Sequence, residues 1–161
     1  MKFYTTLFLL FLYGIPAQSQ EKKCLLILLD GIPADVLEKT NTPNIDKVIK
    51  VGDYSRAYVG GQASGITESP TISAVGYNSM LTGTWANKHN VYSNGIKYPN
   101  YQYPSIFSLA KKHHPEWTLG IYSTWEDNRT KLLGENLEGT QFLKLDYVSD
   151  GYEKDTLAFP H

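Results

Sequence analysis

Apolar and polar positions along the first third of the chain predict strands and helices in alternation. Residues 24–31 (CLLILLDG) are apolar up to the closing Asp-Gly, which is typical of a central strand buried on both faces in a parallel sheet. Residues 42–52 place Ile, Val and Ile on one face of a helix that begins after Thr42 and ends at Gly52. Residues 55–60 predict a second strand.

The rest of the chain continues in the same order. A helix packed through Val75, Met80 and Leu81 is predicted at residues 73–82, followed by a long ordered loop at 84–104. An amphipathic helix follows at 104–114, with inward side chains at Ile106, Phe107, Leu109 and Ala110. The last predicted segments are a strand at 118–124, a short helix at 127–134 capped by Asp127, and a strand or irregular edge at 140–148. This alternation indicates an α/β fold with a mostly parallel sheet and helices on both of its faces.

The first 20 residues have the pattern of a secretory signal peptide. One Lys precedes an apolar run that ends at Gly14 and Pro16, and the small residues Ala17 and Ser19 are spaced as a signal peptidase requires. The run is too short to span a bilayer. We therefore expect residues 1–19 to be removed and the mature chain, without a transmembrane segment, to be secreted or periplasmic. The alternative is an apolar N-terminal helix of the domain.

Composition and charge narrow the class of protein. The 161 residues are 42% apolar and 19% charged, which suits one globular domain with a core. Fifteen basic residues against 16 acidic ones give a net charge of −1, so no electrostatic surface for nucleic acid or an anionic membrane is evident. Cys24 is the only cysteine, which excludes an intramolecular disulfide.

Asp30 and Ser73 lie where α/β folds usually place ligand-binding and catalytic residues. Asp30 follows the first predicted strand, where a carboxylate could hold a metal ion or could simply cap the following turn. Ser73 lies at the start of a predicted helix, whose N–H groups could hold a phosphoryl group attached to its hydroxyl. Ser73 could equally be only an N-cap, and on these local grounds Thr71 is as good a nucleophile.

Four motifs follow one another along the chain: LLILLDG, TPNIDKV, a Ser or Thr ahead of LTG, and KHNVYSNGI. Together they resemble the alkaline phosphatase superfamily, and most closely its type I phosphodiesterase/nucleotide pyrophosphatase branch. In that branch the nucleophile lies nine positions before a Thr-Gly pair and 21 positions before an Asn that binds a phosphoryl oxygen. Ser73 has both spacings, to Thr82 and to Asn94, whereas Thr71 falls two positions early. The resemblance covers residues 24–96.

The resemblance implies an alkaline-phosphatase-like fold and a metal-dependent phosphohydrolase. Asp30 and Ser73 would be ligands of two divalent metal ions, which are zinc in this family. Ser73 would be the nucleophile that forms a phosphoseryl intermediate, and Asn94 would be a catalytic residue that binds the substrate. The expected partner is a small-molecule phosphate ester that is cleaved at a phosphodiester or pyrophosphate bond.

The chain also departs from the pattern of the family. The branch usually has Thr as its nucleophile, followed by F-P-N-H, whereas this chain has Ser73 followed by AVGY at residues 74–77. Sulfatases of the superfamily need Pro and Arg two and four residues after the nucleophile, and those positions hold Val75 and Tyr77. A sulfatase is therefore not expected, while a phosphomonoesterase of the same superfamily stays open as an alternative.

The family's remaining metal ligands, which include an adjacent Asp-His pair, are missing. None of the four His residues follows an Asp. We therefore expect residues 20–161 to be the N-terminal part of an alkaline-phosphatase-like catalytic domain, incomplete in this chain. One alternative is a truncated, non-catalytic binding protein. Another is a metal-independent hydrolase that combines Ser73, His89 and an Asp in a catalytic triad.

Aromatic residues are frequent in and after the long loop. They could line a pocket and stack on a base or an aryl group, or they could only pack the loop. The residues concerned are Tyr92, Tyr98, Tyr101, Tyr103 and Trp125.

Overall fold

The computed structural model describes residues 22–151 of the chain. The chain divides into two compact units, Met1–Ile32 and Pro33–His161. The predicted signal peptide at residues 1–19 lies outside the described residues. Between residues 22 and 151 no helix has the length and apolar character needed to cross a membrane.

The described part of the first unit, residues 22–32, forms no helix and no strand. Its apolar side chains face solvent, with Leu25 82% and Ile27 68% exposed. A buried strand needs a neighbouring strand to pair its backbone, and none pairs with residues 24–29 in the described part of the chain. The predicted central strand is therefore wrong. The expected sharp turn does form, because Gly31 has a φ of +73° and donates its N–H to Asp30 Oδ1 at 2.9 Å.

The second unit begins with two helices, α1 (Ala34–Lys39) and α2 (Pro43–Val51). Helix α2 confirms the helix predicted at 42–52: Pro43 occupies its first turn, where it needs no hydrogen-bond partner, and Gly52 follows its last residue. The hydroxyl of Thr42 donates to the carboxylate of Asp46 at 3.0 Å and does not cap a backbone N–H.

Residues 55–60 connect α2 to the next part of the fold without forming a strand. Their backbone is not paired in a sheet, and Tyr58 and Val59 are 74% and 61% exposed. The strand predicted here is wrong for the same reason as the first one, since β-branched and aromatic residues favour an extended backbone but pairing depends on a distant partner.

Three helices follow, which are α3 (Ser73–Thr82), α4 (Ala86–His89) and α5 (Ile106–His113). Two of them, α3 and α4, contribute residues to the core. Helix α3 is confirmed, and it ends at Gly83 in the left-handed conformation. Its packing differs from the prediction, because Val75 is buried but Met80 is 48% exposed. The core contains Ala74, Val75, Ala86, Val91, Ile96 and Leu132, with Tyr77 and Trp125 packed against it.

Helix α5 is confirmed within the predicted span 104–114 and is capped by the hydroxyl of Ser105, which accepts the N–H of Ser108 at 3.2 Å. The predicted inward face is only partly correct. Ile106 and Leu109 are 57% and 40% exposed, whereas Phe107 and Ala110 are half-buried. The helix therefore lies on the surface, with one half-buried edge.

The sheet consists of two parallel strands, β1 (Gly120–Ser123) and β2 (Tyr147–Asp150). They run in register from Gly120 opposite Tyr147 to Ser123 opposite Asp150. The intervening chain forms a π-helical turn at Asn128–Leu132 and a 3₁₀ turn at Glu138–Thr140. Helices and a parallel strand pair make the fold α/β. The strand predicted at 140–148 begins only at Tyr147, and Asp127 binds Lys131 Nζ at 2.7 Å without capping the turn.

An ionic cluster around Arg129 connects the end of β2 to the segment between the two strands. The guanidinium of Arg129 binds Asp150 through Nε and Nη2, the latter at 2.5 Å, and Glu135 through Nη1 at 2.5 Å. Glu126 accepts a further hydrogen bond at 3.1 Å. The side chains of Arg129 and Asp150 are 15% and 4% exposed, so the cluster is largely shielded from water.

Candidate active site

Ser73 is the first residue of α3. The preceding residue, Ile72, is extended and occupies the N-cap position, and its side chain cannot cap the helix. Ser73 is therefore not the N-cap, which corrects the structural alternative raised from the sequence. Ser73 therefore lies in the N-terminal turn, at the end of the helix that carries partial positive charge. Thr71 lies outside the helix and is exposed.

Asn94 reaches the same helix end from the loop that follows α4. Its side-chain Oδ1 accepts the backbone N–H of Ala74 at 3.1 Å. The structure thus brings together the Asn and the helix turn that contains Ser73. Because Oδ1 is the acceptor in this bond, the Nδ2 amide is the group that Asn94 can offer to an anion.

The loop that carries Asn94 is held at both ends by buried apolar residues. Val91 and Ile96 are 1% and 3% exposed, while Asn94 between them is exposed. The loop leaves α4 through Asn90, which has a φ of +59°. Asn is among the residues that tolerate the left-handed conformation best, so this turn needs no glycine.

His89 is fully buried and uses both of its ring nitrogens in structural hydrogen bonds. Nε2 lies 2.9 Å from the hydroxyl of Ser79, and Nδ1 accepts the backbone N–H of Val91 at 3.1 Å. Burial lowers the pKa of His89 to about 4, so the imidazole is neutral at pH 7. This geometry contradicts the alternative of a triad with Ser73, because a general base must bond the nucleophile that it activates.

Ser69 supports the loop that precedes Ser73, a structural role that no sequence pattern indicated. It is buried, its N–H donates to Gly60 O at 2.7 Å, and its hydroxyl accepts the N–H of Ala86 at 3.0 Å. It therefore ties the loop before Ser73 to two other parts of the chain. A serine in an irregular loop has no periodicity and no motif, so no sequence signal could have found it.

Asp30 lies in the first unit, at the turn already described. Its carboxylate is exposed and accepts the N–H of Gly31. Within residues 22–151 no three His, Cys, Asp or Glu side chains are grouped so that they could hold a metal ion. The described residues therefore do not form a complete metal centre, and the two predicted ligands would supply only part of a ligand set.

The five aromatic residues do not form a common pocket. Tyr101 and Tyr103 line a cavity of about 340 Å³ between α3, α5 and the 3₁₀ turn, and neither Ser73 nor Asn94 contributes to its wall. The hydroxyl of Tyr101 donates to Lys131 O at 2.6 Å, and burial raises the pKa of this phenol. Trp125 packs against the core, and the remaining two, Tyr92 and Tyr98, are exposed.

These observations define an α/β protein in which a loop asparagine is bonded to the helix turn that a serine begins. The family model for type I phosphodiesterase / nucleotide pyrophosphatase matches residues 24–143. The match covers most of the chain, and the chain belongs to the type I phosphodiesterase/nucleotide pyrophosphatase family. This confirms the resemblance inferred from the sequence motifs, and the family is one of hydrolases. No curated protein and no solved structure matched the chain.

Proposed function

We propose that this chain is the N-terminal part of an alkaline-phosphatase-like catalytic domain, with helices on both faces of its sheet. The complete domain cleaves phosphodiester or pyrophosphate bonds in small-molecule phosphate esters. Its nucleophile is Ser73. The observation that carries this proposal is the hydrogen bond from Ala74 N–H to Asn94 Oδ1. Two residues with the family's 21-position spacing meet at one helix end, which is where a phosphoryl group is best held.

In the proposed reaction, Ser73 Oγ attacks phosphorus and the bond from phosphorus to the leaving oxygen breaks. The phosphoseryl group then reacts with water, which releases phosphate or a phosphate monoester and restores the hydroxyl. Asn94 Nδ2 and N–H groups of the first turn of α3 other than that of Ala74 donate to the non-bridging oxygens as their charge grows. Removing one such donor costs roughly 3 kcal/mol of transition-state stabilisation.

The cofactor in this proposal is a pair of divalent metal ions, with zinc as the metal that the family uses. Bound metal ions would supply positive charge to the reacting oxygens. Asp30 and Ser73 are the ligands that this chain is proposed to contribute. Metal analysis of the purified enzyme tests this directly: Asp30→Asn is expected to lose bound metal, and Ser73→Ala to retain most of it.

A secreted or periplasmic location is part of the same proposal, because residues 1–19 have the pattern of a signal peptide. The N-terminal sequence of the exported protein tests it. A mature chain that begins near Gln20 supports removal of the segment, and a chain that retains Met1 overturns it.

The nucleophile is tested in the full-length enzyme with Ser73→Ala and, as a matched control, Thr71→Ala. With bis-p-nitrophenyl phosphate as substrate, Ser73→Ala is expected to lower kcat by about 1,000-fold or more, and Thr71→Ala by little. Acid quenching followed by mass spectrometry should find a p-nitrophenyl phosphoryl group on Ser73. Comparison with p-nitrophenyl phosphate separates a diesterase from the monoesterase alternative. Full activity of Ser73→Ala would overturn the assignment, and a wild-type enzyme inactive on all esters would favour a binding protein.

A further inference from the structure

Three hydrogen bonds and the loop between Val91 and Asn94 connect Ser79 of α3 to Ala74 in the first turn of the same helix. The hydroxyl of Ser79 donates to Val75 O at 2.8 Å and lies 2.9 Å from His89 Nε2. His89 Nδ1 accepts the N–H of Val91 at 3.1 Å. Three residues further along, Asn94 Oδ1 accepts the N–H of Ala74.

Donor counting fixes the tautomer of the imidazole. A serine hydroxyl has one proton, and that of Ser79 is used toward Val75 O, so Ser79 accepts from His89. Nε2 of His89 therefore carries the proton, and Nδ1 is the acceptor that the N–H of Val91 requires. The other tautomer would direct the Nδ1 proton at the N–H of Val91 and break the link.

The hydrogen bond between His89 and Val91 restrains the start of the loop, because both residues are buried. His89 and Val91 are 0% and 1% exposed, so the start of the loop is fixed against the core. Ile96 fixes the other end at 3% exposure. Asn94 is exposed and lies between these two buried residues. The position of Val91 is fixed through His89 by the hydroxyl of Ser79, which belongs to α3, the helix that Asn94 contacts.

We propose that His89 is a positioning residue, which through Ser79 and Val91 holds the Asn94 carboxamide over the first turn of α3. Its effect on turnover rests on the proposed function of Ser73 and Asn94. Its effect on the Asn94–Ala74 contact does not depend on that function. His89 itself touches no substrate, because both of its nitrogens are occupied within the fold.

The kinetic experiment is a double-mutant cycle in the full-length enzyme. Ser79→Ala removes the acceptor for Nε2–H, and we expect kcat to fall about 10-fold with little change in KM, as is usual for residues that orient a reacting group. Ser79→Thr keeps the hydroxyl and is expected to restore kcat. In an Asn94→Ala background, Ser79→Ala should have almost no further effect, because the two residues act through one contact. An equal loss in both backgrounds would overturn the proposal.

A second readout needs no activity. In the wild type, ¹⁵N NMR is expected to show an unprotonated Nδ1 on His89, and hydrogen exchange to show protection at Ala74 N–H. Ser79→Ala is expected to lower that protection about 10-fold, while Ser79→Thr preserves it. Unchanged protection at Ala74 in a folded Ser79→Ala protein overturns the proposal, even if no ester is hydrolysed. If Ser79→Ala does not fold, Ser79→Cys, which is close in volume but a weak acceptor, replaces it.

Thr130→Ala is the matched control for loss of a helical hydroxyl. The hydroxyl of Thr130 donates to Glu126 O four residues back at 3.1 Å, as Ser79 does to Val75, but it meets no imidazole. Ala74 protection and kcat are therefore expected to stay at wild-type values in this variant. A fall in both, equal to that of Ser79→Ala, would show that any small loss of helix stability has the same effect and would also overturn the proposal.

Discussion

Asn94 Oδ1 lies 3.1 Å from the backbone nitrogen of Ala74, although 20 residues separate the two in sequence. The contact satisfies one of the N–H groups that a helix leaves unpaired in its first turn. It also orients the carboxamide, because an amide whose oxygen is engaged must present its nitrogen elsewhere. One hydrogen bond thus satisfies an N–H of the helix and leaves the Nδ2 amide of Asn94 to donate elsewhere.

Asn94→Asp separates these two roles. The carboxylate can still accept the N–H of Ala74, but it has no proton to donate and it repels a phosphate ester. We expect kcat to fall about 100-fold or more, with a melting temperature close to that of the wild type. Steady-state kinetics and thermal unfolding measure the two effects.

Asn94→Ala is the companion variant and should lose both the acceptor and the donor. We expect it to lower stability by about 1 kcal/mol as well as kcat, because the N–H of Ala74 then depends on water. If Asn94→Asp keeps wild-type kcat, donation by Nδ2 has no part in the reaction.

The span of helix α3 and the spacing of Ser73 and Asn94 could be read from the sequence, whereas the contact of Asn94 with Ala74 and the bonds that support it could not. Both residues lie within one continuous stretch of motif, but the inward side chains predicted for α3 were only partly correct, because Met80 is exposed. By contrast, nothing in the sequence relates Ser79 to His89 or Ser69 to Gly60. Such side-chain and backbone pairs depend on how loops close in space, which has no local pattern.

The predicted strands failed for a related reason. Residues 24–29 and 55–60 have strong β propensity, but strand formation requires a partner backbone, and only β1 and β2 have one in the described part of the fold. Helices α2, α3 and α5 were predicted correctly because their hydrogen bonds are internal to each segment. Local signals therefore sufficed for helices and not for the sheet.

The buried imidazole of His89 makes stability depend on pH in a defined window. Its pKa is about 4 in the folded protein and 6.5 as the reference value, so between these pH values the unfolded chain binds more protons. The free energy of unfolding should therefore fall as pH drops below 6.5, and the loss should be complete below about pH 4. The shift corresponds to about 3 kcal/mol. Above pH 7 this group should have no effect.

Urea unfolding at pH 7, 5.5 and 4 measures this dependence in the wild type and in His89→Gln, which cannot titrate in this range. The difference between the two proteins isolates the histidine from the carboxylates, which also protonate in acid. An NMR titration of the His89 ring reads its pKa directly. A midpoint at or above 6.5, or identical pH dependence in the two proteins, would contradict the prediction.

The ionic cluster at the end of β2 should contribute strongly to stability. Arg129→Met removes the partner of two shielded carboxylates, Asp150 and Glu135, whose side chains are 4% and 9% exposed. We expect the free energy of unfolding to fall by about 3 kcal/mol, because buried charges that lose an ion-pair partner are costly. Chemical denaturation at pH 7 measures the loss.

Arg56→Met is the control for the loss of an ion pair at the surface. Arg56 binds Glu38, but their side chains are 56% and 36% exposed. The cost should be much smaller than that of Arg129→Met, since solvent screens such a pair. Equal costs at the two positions would mean that the Arg129 cluster is as hydrated as the surface pair.

Gly61, in the loop that precedes Ser73, is required for steric reasons, and Gly83 serves as the comparison. Gly61 has a φ of +66°, and a Cβ atom there would lie 1.9 Å from Thr67 O. Gly83 has nearly the same φ, +64°, but a Cβ atom there would meet nothing within 4 Å. Gly83→Ala should therefore cost only the strain of the left-handed conformation, about 1 kcal/mol, measured by chemical denaturation.

Gly61→Ala adds a backbone collision, so it should cost at least about 2 kcal/mol more and loosen the loop that contains Ser69. Hydrogen exchange at Ala86 N–H, which donates to Ser69, should rise in Gly61→Ala alone. Equal destabilisation by the two substitutions would show that strain, and not the close approach of Gly61 to Thr67, determines the residue at this turn.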